Sequence, residues 1–336
     1  MTENQGIAGL VNLGNTCFMN SCLQLLFNCD ILNETLNNKI KENANSNVLL
    51  NEYVELFNLV NDMKKQVIIS PKKFLHSLQC ESKKQNNLLF SGYTQNDIEE
   101  FFIFLVTNFH EGLKREVDIT IKGKPQHKQD ILAIKCFNMI KKMYSKEYSE
   151  IIDIFFGIHV TQLVDMSNNI IRQIPEVYQS LSIPIPSKQN VHLIDCINEY
   201  LAPYLLNGDN QYYYEEKKVK IDVNKQMVIW SLPKILVITL KRFNNNLKKN
   251  QTLVNYNVNE DLNLTQYVKG YQSNSYIYEL IGTGNHTGSV FGGHYYSHIK
   301  KNSKWYLFND TNVSEVEKLN SIISNYTYLL FFRKKT

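Results

Sequence analysis

The feature that most limits what this chain can fold into is a change of hydrophobic period near residue 150. Before it, apolar residues recur three and four apart, as in Leu49, Leu50, Tyr53, Leu56, Phe57 and Val60, and again in Ile98, Phe101, Phe102, Leu105 and Phe109. That spacing gives amphipathic helices with one stripe facing a core. From residue 151 onward the pattern turns to short apolar and β-branched runs at 154–160, 178–185, 228–232, 235–243, 276–281, 295–299, 305–308 and 326–333, punctuated by Pro175, Pro184 and Pro186. These read as strands, interrupted by one helix over 191–205. Helices first and strands afterwards imply an α+β fold with segregated layers, not alternating βαβ units.

Composition narrows the function classes. The chain has 336 residues, enough for one large or two medium domains with a buried cleft. Its six cysteines, at 17, 22, 29, 80, 136 and 196, form no C-x-x-C pair, which argues against a disulfide scaffold and a structural zinc site. No leader pattern opens the sequence, and the longest apolar runs, 101–106 and 235–240, fall far short of the roughly 18 residues that span a bilayer. With a net charge of +4 and basic pairs scattered among acids, a nucleic-acid footprint is not expected. An intracellular protein, cytoplasmic or nuclear, with no membrane and no cofactor is the expectation.

The most informative segment is GLVNLGNTCFMNSC, from Gly9 to Cys22. After Gly14, either Asn15 or Thr16 can cap a helix whose buried face carries Phe18, Cys22, Leu25, Leu26 and Cys29, with Asn20, Gln24 and Asn28 on another face. Cys17 then lies in the first turn, where unpaired backbone N–H groups and the helix dipole favour a thiolate. Asn12, five residues earlier, offers a side-chain amide to an oxyanion. Taken singly, a free cysteine is most often a buried thiol and Asn12 a turn residue.

A cysteine nucleophile wants a histidine base and a third group that orients the ring. His294 follows Gly292-Gly293 and opens a strand; Trp305-Tyr-Leu-Phe-Asn-Asp reads as the returning strand. A two-residue turn at Lys301-Asn302 sets His294 opposite Asn309, on the same face. A slip of one residue presents Asp310 instead, so Asn309 is preferred and Asp310 stays open as a second partner.

These residues resemble the ubiquitin-specific proteases, papain-like cysteine enzymes that remove ubiquitin. The resemblance rests on Gly9 to Ser21 as the Cys box and on Gly293-His-Tyr running to Trp305-Tyr-Leu-Phe-Asn-Asp as the His box. Tyr93-Thr-Gln-Asn-Asp-Ile-Glu-Glu-Phe-Phe, the stretches 181–186 and 232–243, and Tyr278-Glu-Leu fit between them in order. It implies one catalytic domain, with a mainly helical thumb (1–150), β fingers (151–235) and a β-sheet palm carrying the His box (236–336). It implies a thiol isopeptidase that cleaves after the Gly-Gly terminus of ubiquitin through a thioester, with Cys17 as nucleophile, His294 as base, Asn309 as third member, Asn12 as oxyanion donor and Asp310 as an auxiliary. Gln95, Asp97, Glu100, Gly292, Gly293 and Tyr295 are implied in substrate binding, with Asp97 and Glu100 pairing the arginines of the ubiquitin tail and residues 283–291 acting as a gate loop. Many members hold zinc in the fingers by two C-x-x-C pairs. Here Tyr214 and Lys217 stand at the second pair and 164–169 has no cysteine at the first, so no metal is expected. The family's histidine in the Leu-Lys-Arg-Phe block is Thr239, a structural difference. The partner implied is ubiquitin or a ubiquitinated protein, bound by a monomer. Two alternatives stay open: a protease for another ubiquitin-like modifier, and an inactive ubiquitin-binding module.

Overall fold

A computed structural model describes residues 6–42, 47–63, 66–243, 248–271, 275–290 and 292–335. Its first part is helical: α1 (Cys17–Phe27), α2 (Asp30–Glu42), α3 (Val48–Asp62), α4 (Lys72–Lys84), α5 (Ile98–Leu113), α6 (Lys128–Tyr144) and α7 (Glu150–Phe155), with a small parallel pair, β1 (Ala8–Leu10) and β2 (Val67–Ile69). The chain then gives β3 (Gly157–Asp165), β4 (Ile170–Tyr178), β5 (Leu181–Ile183), β6 (Val191–His192), α8 (Leu193–Leu201), β7 (Tyr204–Leu206), β8 (Tyr212–Tyr214), β9 (Val219–Ile221) and β10 (Val223–Ser231). It ends with β11 (Ile235–Leu240), β12 (Val254–Asn255), β13 (Leu262–Asn263), β14 (Ile277–Ser289), β15 (Gly292–Lys301), β16 (Lys304–Asn309), β17 (Asn312–Glu315) and β18 (Thr327–Lys334). The α+β expectation holds.

Two sheets matter for the site. The larger runs β17-β16-β15-β14-β18-β11-β5, with β13 against β14, and is antiparallel except where β5 joins β11. A four-stranded antiparallel sheet, β4-β3-β10-β7, projects beside it. Both faces of the large sheet are covered: along β18, Leu329 and Phe331 belong to the core shared with α1 and α5, while Leu330 and Phe332 belong to a second core with α8. Double coverage is why residues 235–240 and 328–332 read as near-continuous apolar runs, broken only by Thr239, and not as alternation.

Helix α1 is the centre of the structure. All eleven of its residues are buried, including the polar face. Asn20 donates to the Leu10 carbonyl, Gln24 to Ala8 (2.7 Å), and Asn28, just past the helix, to Ile281 (3.0 Å) and Lys300 (3.1 Å). The polar face is thus a row of amides that ties strand carbonyls to the helix, satisfying groups that would be costly to bury alone. Close approach of β14 to α1 depends on Gly282, where a Cβ would lie 2.7 Å from Leu25 Cδ2 and 3.1 Å from the His298 carbonyl oxygen.

Several elements differ from the sequence expectation. Ile154 and Phe155 end α7 and do not start a strand, because a short apolar run fits either period. The run 178–185 is cut by a break between β4 and β5, and the helix expected over 191–205 is confined to α8. The stretch taken as a gate loop, 283–291, is strand as far as Ser289, paired with β15 from Gly282↔Ile299 to Ser289↔Gly292; Phe291 lies outside the described residues. The β15–β16 turn is at Asn302-Ser303, whose φ values of +49° and +63° are those a two-residue type I′ turn requires, so Lys301 pairs with Lys304.

Candidate active site

Cys17 opens α1 after an approach held by side chains. Gly14 and Asn15 take positive φ (+102° and +56°), Asn15 is anchored to the Tyr93 carbonyl, and the Thr16 hydroxyl accepts from the Leu13 N–H at 2.8 Å. Thr16 is the N-cap residue, although its side chain does not cap the helix. The expectation that this position favours a thiolate is corrected. Burial pushes the Cys17 thiol above its ordinary value, and the negative charge of Asp310 acts the same way; the N–H groups of Tyr295, Phe18 and Cys17 pull it down but do not prevail. Burial thus disfavours the thiolate, the reactive form, and a nearby base would offset this. Cys22 and Cys29 are fully buried core thiols, as expected.

His294 Nε2 and Asn309 Oδ1 are 2.6 Å apart. Since Oδ1 can only accept, Nε2 carries the proton and Nδ1 keeps its lone pair. The expected register was off by two residues: Ser297 faces Phe308, and pairing stops there. A shift of two keeps every side chain on its face, so the contact survives as a diagonal one.

Asp310, kept open as an auxiliary beside the imidazole, engages the Asn12 and Asn20 amides. At φ +50°, it accepts from Asn12 Nδ2 through Oδ2 (2.9 Å) and from Asn20 Nδ2 through Oδ1 (2.8 Å). The Asn12 Oδ1 in turn accepts from the N–H groups of Gly14 and Thr16, at 3.1 Å each. The Asn12 amide is therefore fixed at both ends with one N–H left over. Asn20 was missed as a site residue; its signal was a polar side chain one turn beyond Cys17 in a helix too apolar to face water.

Among the residues implied in substrate binding, Gln95 meets Gly293 with both ends of its amide: Nε2 donates to the Gly293 carbonyl at 3.0 Å, and the Gly293 N–H donates to Oε1 at 2.9 Å. Asp97 is the N-cap of α5, accepting from the Glu99 (2.7 Å) and Glu100 (3.2 Å) N–H groups and from the Tyr295 hydroxyl (3.3 Å). Aspartate followed three residues later by glutamate at the head of an apolar stripe is a capping signature that the sequence carried openly. Glu100 is exposed, its carboxyl held up by partial burial and the charge of Asp97. A Cβ on Gly292 would lie 3.6 Å from Gln95 Oε1, an ordinary contact, whereas a Cβ on Gly293 would lie 2.1 Å from His286 Nε2 and 2.3 Å from the Thr287 carbonyl oxygen. Thr239 is buried with its hydroxyl 2.8 Å from that of Ser180, both beside Glu99.

At the tips of the smaller sheet, the residues standing where the resemblance would put zinc do not suit it. Tyr214 donates to Glu216 at 2.7 Å, Lys217 lies 5.7 Å over the Tyr214 ring, and the Asp165 carboxylate is occupied by the Ser167 and Asn169 N–H groups. A phenol, an ammonium and a turn-bound carboxylate are not the thiolate and imidazole donors of a structural zinc site. Elsewhere His110, Glu111 and Glu147 converge, but the Lys114 ammonium bridges the two carboxylates at 2.8 and 3.2 Å. Among the described residues, no helix is long and apolar enough to cross a membrane.

Known proteins resemble the chain along nearly its whole length. The profile of the family described as Ubiquitin carboxyl-terminal hydrolase matches residues 8–332. Ubiquitin carboxyl-terminal hydrolase 2 of Homo sapiens is 29% identical over 343 residues, covering 98% of this chain and 55% of that protein. The Gallus gallus protein of the same name is 31% identical, covering 98% and 93%. Ubiquitin carboxyl-terminal hydrolase 4 of Saccharomyces cerevisiae (strain YJM789) is 29% identical, covering 97% of this chain and 39% of that protein. The chain thus spans about half the length of the human relative and less of the yeast one. Among solved structures, the SAGA Ubp8/Sgf11/Sus1/Sgf73 DUB module bound to ubiquitin aldehyde aligns over 100% of this chain and 71% of its own, with a TM-score of 0.75 at 24% identity. That likeness shows the papain-like fold.

Proposed function

The chain belongs to the ubiquitin carboxyl-terminal hydrolase family, and from that premise we propose that it is a thiol deubiquitinase that hydrolyses the bond after the C-terminal Gly-Gly of ubiquitin. The observation that carries the reading is the His294–Asn309 bond, which leaves the Nδ1 lone pair of His294 free to take a proton. A buried thiol whose own environment disfavours ionisation is useful only with such a base.

In the proposed sequence, Nδ1 of His294 removes the Cys17 proton as sulfur attacks the terminal glycine carbonyl. Asn309 holds the ring and bears the resulting imidazolium. The oxyanion takes the remaining Asn12 N–H and the backbone N–H at the start of α1, donors worth about 3 kcal/mol each in related sites. Collapse expels the lysine amine, protonated by His294, and leaves a thioester that water hydrolyses with the same base. We assign 1–150 to a thumb, 151–235 to fingers and 236–336 to a palm that together hold ubiquitin, with the chain working as a monomer inside the cell. The ubiquitin aldehyde bound by the Ubp8 module supports the choice of ligand.

The test is release of a fluorogenic amine from the C-terminus of ubiquitin, run beside SUMO and NEDD8 conjugates. Turnover of ubiquitin that is lost in Cys17→Ala is expected. Preference for another modifier would replace ubiquitin in the proposal, and no turnover of any would leave a binding module.

A further inference from the structure

Gly293, the residue immediately before the base, is held from two sides. From the thumb, Gln95 answers its carbonyl at 3.0 Å and its N–H at 2.9 Å, the two bonds that a neighbouring strand would otherwise make. From the sheet, the His286 ring and the Thr287 carbonyl lie so close to its Cα that no side chain fits. His286 is itself fixed. It is buried, its ring centroid lies 4.5 Å from that of Tyr295 and 5.7 Å from that of Phe243, and Lys249 Nζ stands 3.1 Å from its Nδ1 while also donating to its carbonyl. An ammonium can only donate, so Nδ1 of His286 is an acceptor and the proton sits on Nε2. The cation beside it also keeps this second histidine neutral, its pKa lowered to about 4 by burial, by Lys249 and by His294.

Gln95 is exposed, and fixing a long side chain in water forfeits rotamer freedom that two solvent-competing hydrogen bonds barely offset. Its contribution is therefore geometric. We propose that Gln95, closing on Gly293 against the Lys249-held His286, is a positioning residue that sets the backbone one step ahead of His294 and so aims the imidazole at Cys17. This departs from the substrate-binding role that the resemblance implies for Gln95: both amide ends are already engaged by Gly293, which leaves one N–H and one lone pair for any other partner. The inference rests on the reading of His294 as the base of Cys17.

The test compares wild type with Gln95→Met, which keeps the length but neither hydrogen bond, and Gln95→Glu, which keeps only the acceptor for the Gly293 N–H. Two readouts are taken: kcat and KM on the ubiquitin substrate, and alkylation of Cys17 by iodoacetamide across pH, followed on the Cys17 peptide by mass spectrometry. The second needs no ubiquitin, so it decides the matter even if ubiquitin turnover fails in wild type. The expectation for Gln95→Met is a fall of about 10- to 100-fold in kcat, the scale of an ångström-size misplacement, with KM within about twofold. Alkylation at neutral pH should slow in parallel and its profile move to higher pH, with Gln95→Glu in between. A rise in KM with kcat and alkylation unchanged would make Gln95 a substrate ligand and overturn the proposal, as would wild-type behaviour in both readouts.

Discussion

Replacing Asp310 with asparagine separates two effects that turnover alone would confuse. The carboxylate accepts from Asn12 at 2.9 Å and from Asn20 at 2.8 Å, one oxygen to each. An amide has only one acceptor, so Asp310→Asn sets a donor against a donor at one of the two. Asn20 is 2% exposed and gives way least, so the mismatch falls on exposed Asn12, the oxyanion donor. A bond to a charged group is worth about 1.5–3 kcal/mol. Loss of that much alignment at a donor itself worth about 3 kcal/mol predicts kcat lower by about 10- to 100-fold. The thiol responds oppositely. Asp310 is one of the causes that raise the Cys17 pKa, so removing its charge lowers it. The assay is paired: kcat on a ubiquitin C-terminal fluorogenic substrate, and thiolate formation at Cys17 followed by absorbance or alkylation against pH. A more acidic thiol together with a slower enzyme is expected. Unchanged or faster turnover would refute the placing of Asp310 as the group that orients Asn12.

Three other outcomes follow from the packing of the fold. His298 is 5% exposed beside Asn285 and Thr283, and burial lowers its pKa from 6.5 to about 4; the unfolded chain then binds the extra proton between those values, so stability is present above pH 6.5 and falls by up to about 3 kcal/mol towards pH 4. His298→Gln should flatten that limb in urea melts taken across pH, and parallel curves would contradict it. Phe102 stacks edge-on with Phe155 and Phe331, centroids 5.4 Å apart in each pair, so Phe102→Ala should cost about 3–5 kcal/mol by urea unfolding; less than 1 kcal/mol would mean that the helix-to-sheet core is looser than these contacts imply. Metal analysis of purified protein should find no stoichiometric zinc, and a chelator should leave the melting temperature unchanged; one zinc per chain would show that donors other than Tyr214 and Lys217 assemble a site.

The parts of the site that were legible in the sequence are those whose signals are local. A glycine-bearing approach followed by an apolar helix is enough to place Cys17 at a helix start, and a strand, polar turn and strand are enough to bring His294 near Asn309. The turn itself was misplaced by one residue because Lys301, Asn302 and Ser303 differ little in propensity; the left-handed pair Asn302-Ser303 is chosen by how the two strands twist together. Asn20, Gln24 and Asn28 could be placed only on a face apart from the apolar stripe, because their partners, the carbonyls of Ala8, Leu10, Ile281 and Lys300, come from strands that only the fold brings to α1. Asp97 is legible as a cap from its place before the apolar stripe of α5, and the resemblance adds a substrate-binding role through its charge. Helix α6 buries only Leu132, Ala133, Cys136 and Tyr144 across seventeen residues, a stripe too thin for period analysis to find.

The central claim is that Cys17, activated by His294, attacks the C-terminus of ubiquitin. It is tested most directly by ubiquitin bearing a thiol-reactive electrophile at its C-terminus, with the adduct located by intact-mass and peptide mass spectrometry. The account predicts one ubiquitin per chain, attached at Cys17, absent in Cys17→Ala and strongly slowed in His294→Ala. An adduct at another cysteine such as exposed Cys80, or no adduct on wild type, would contradict it.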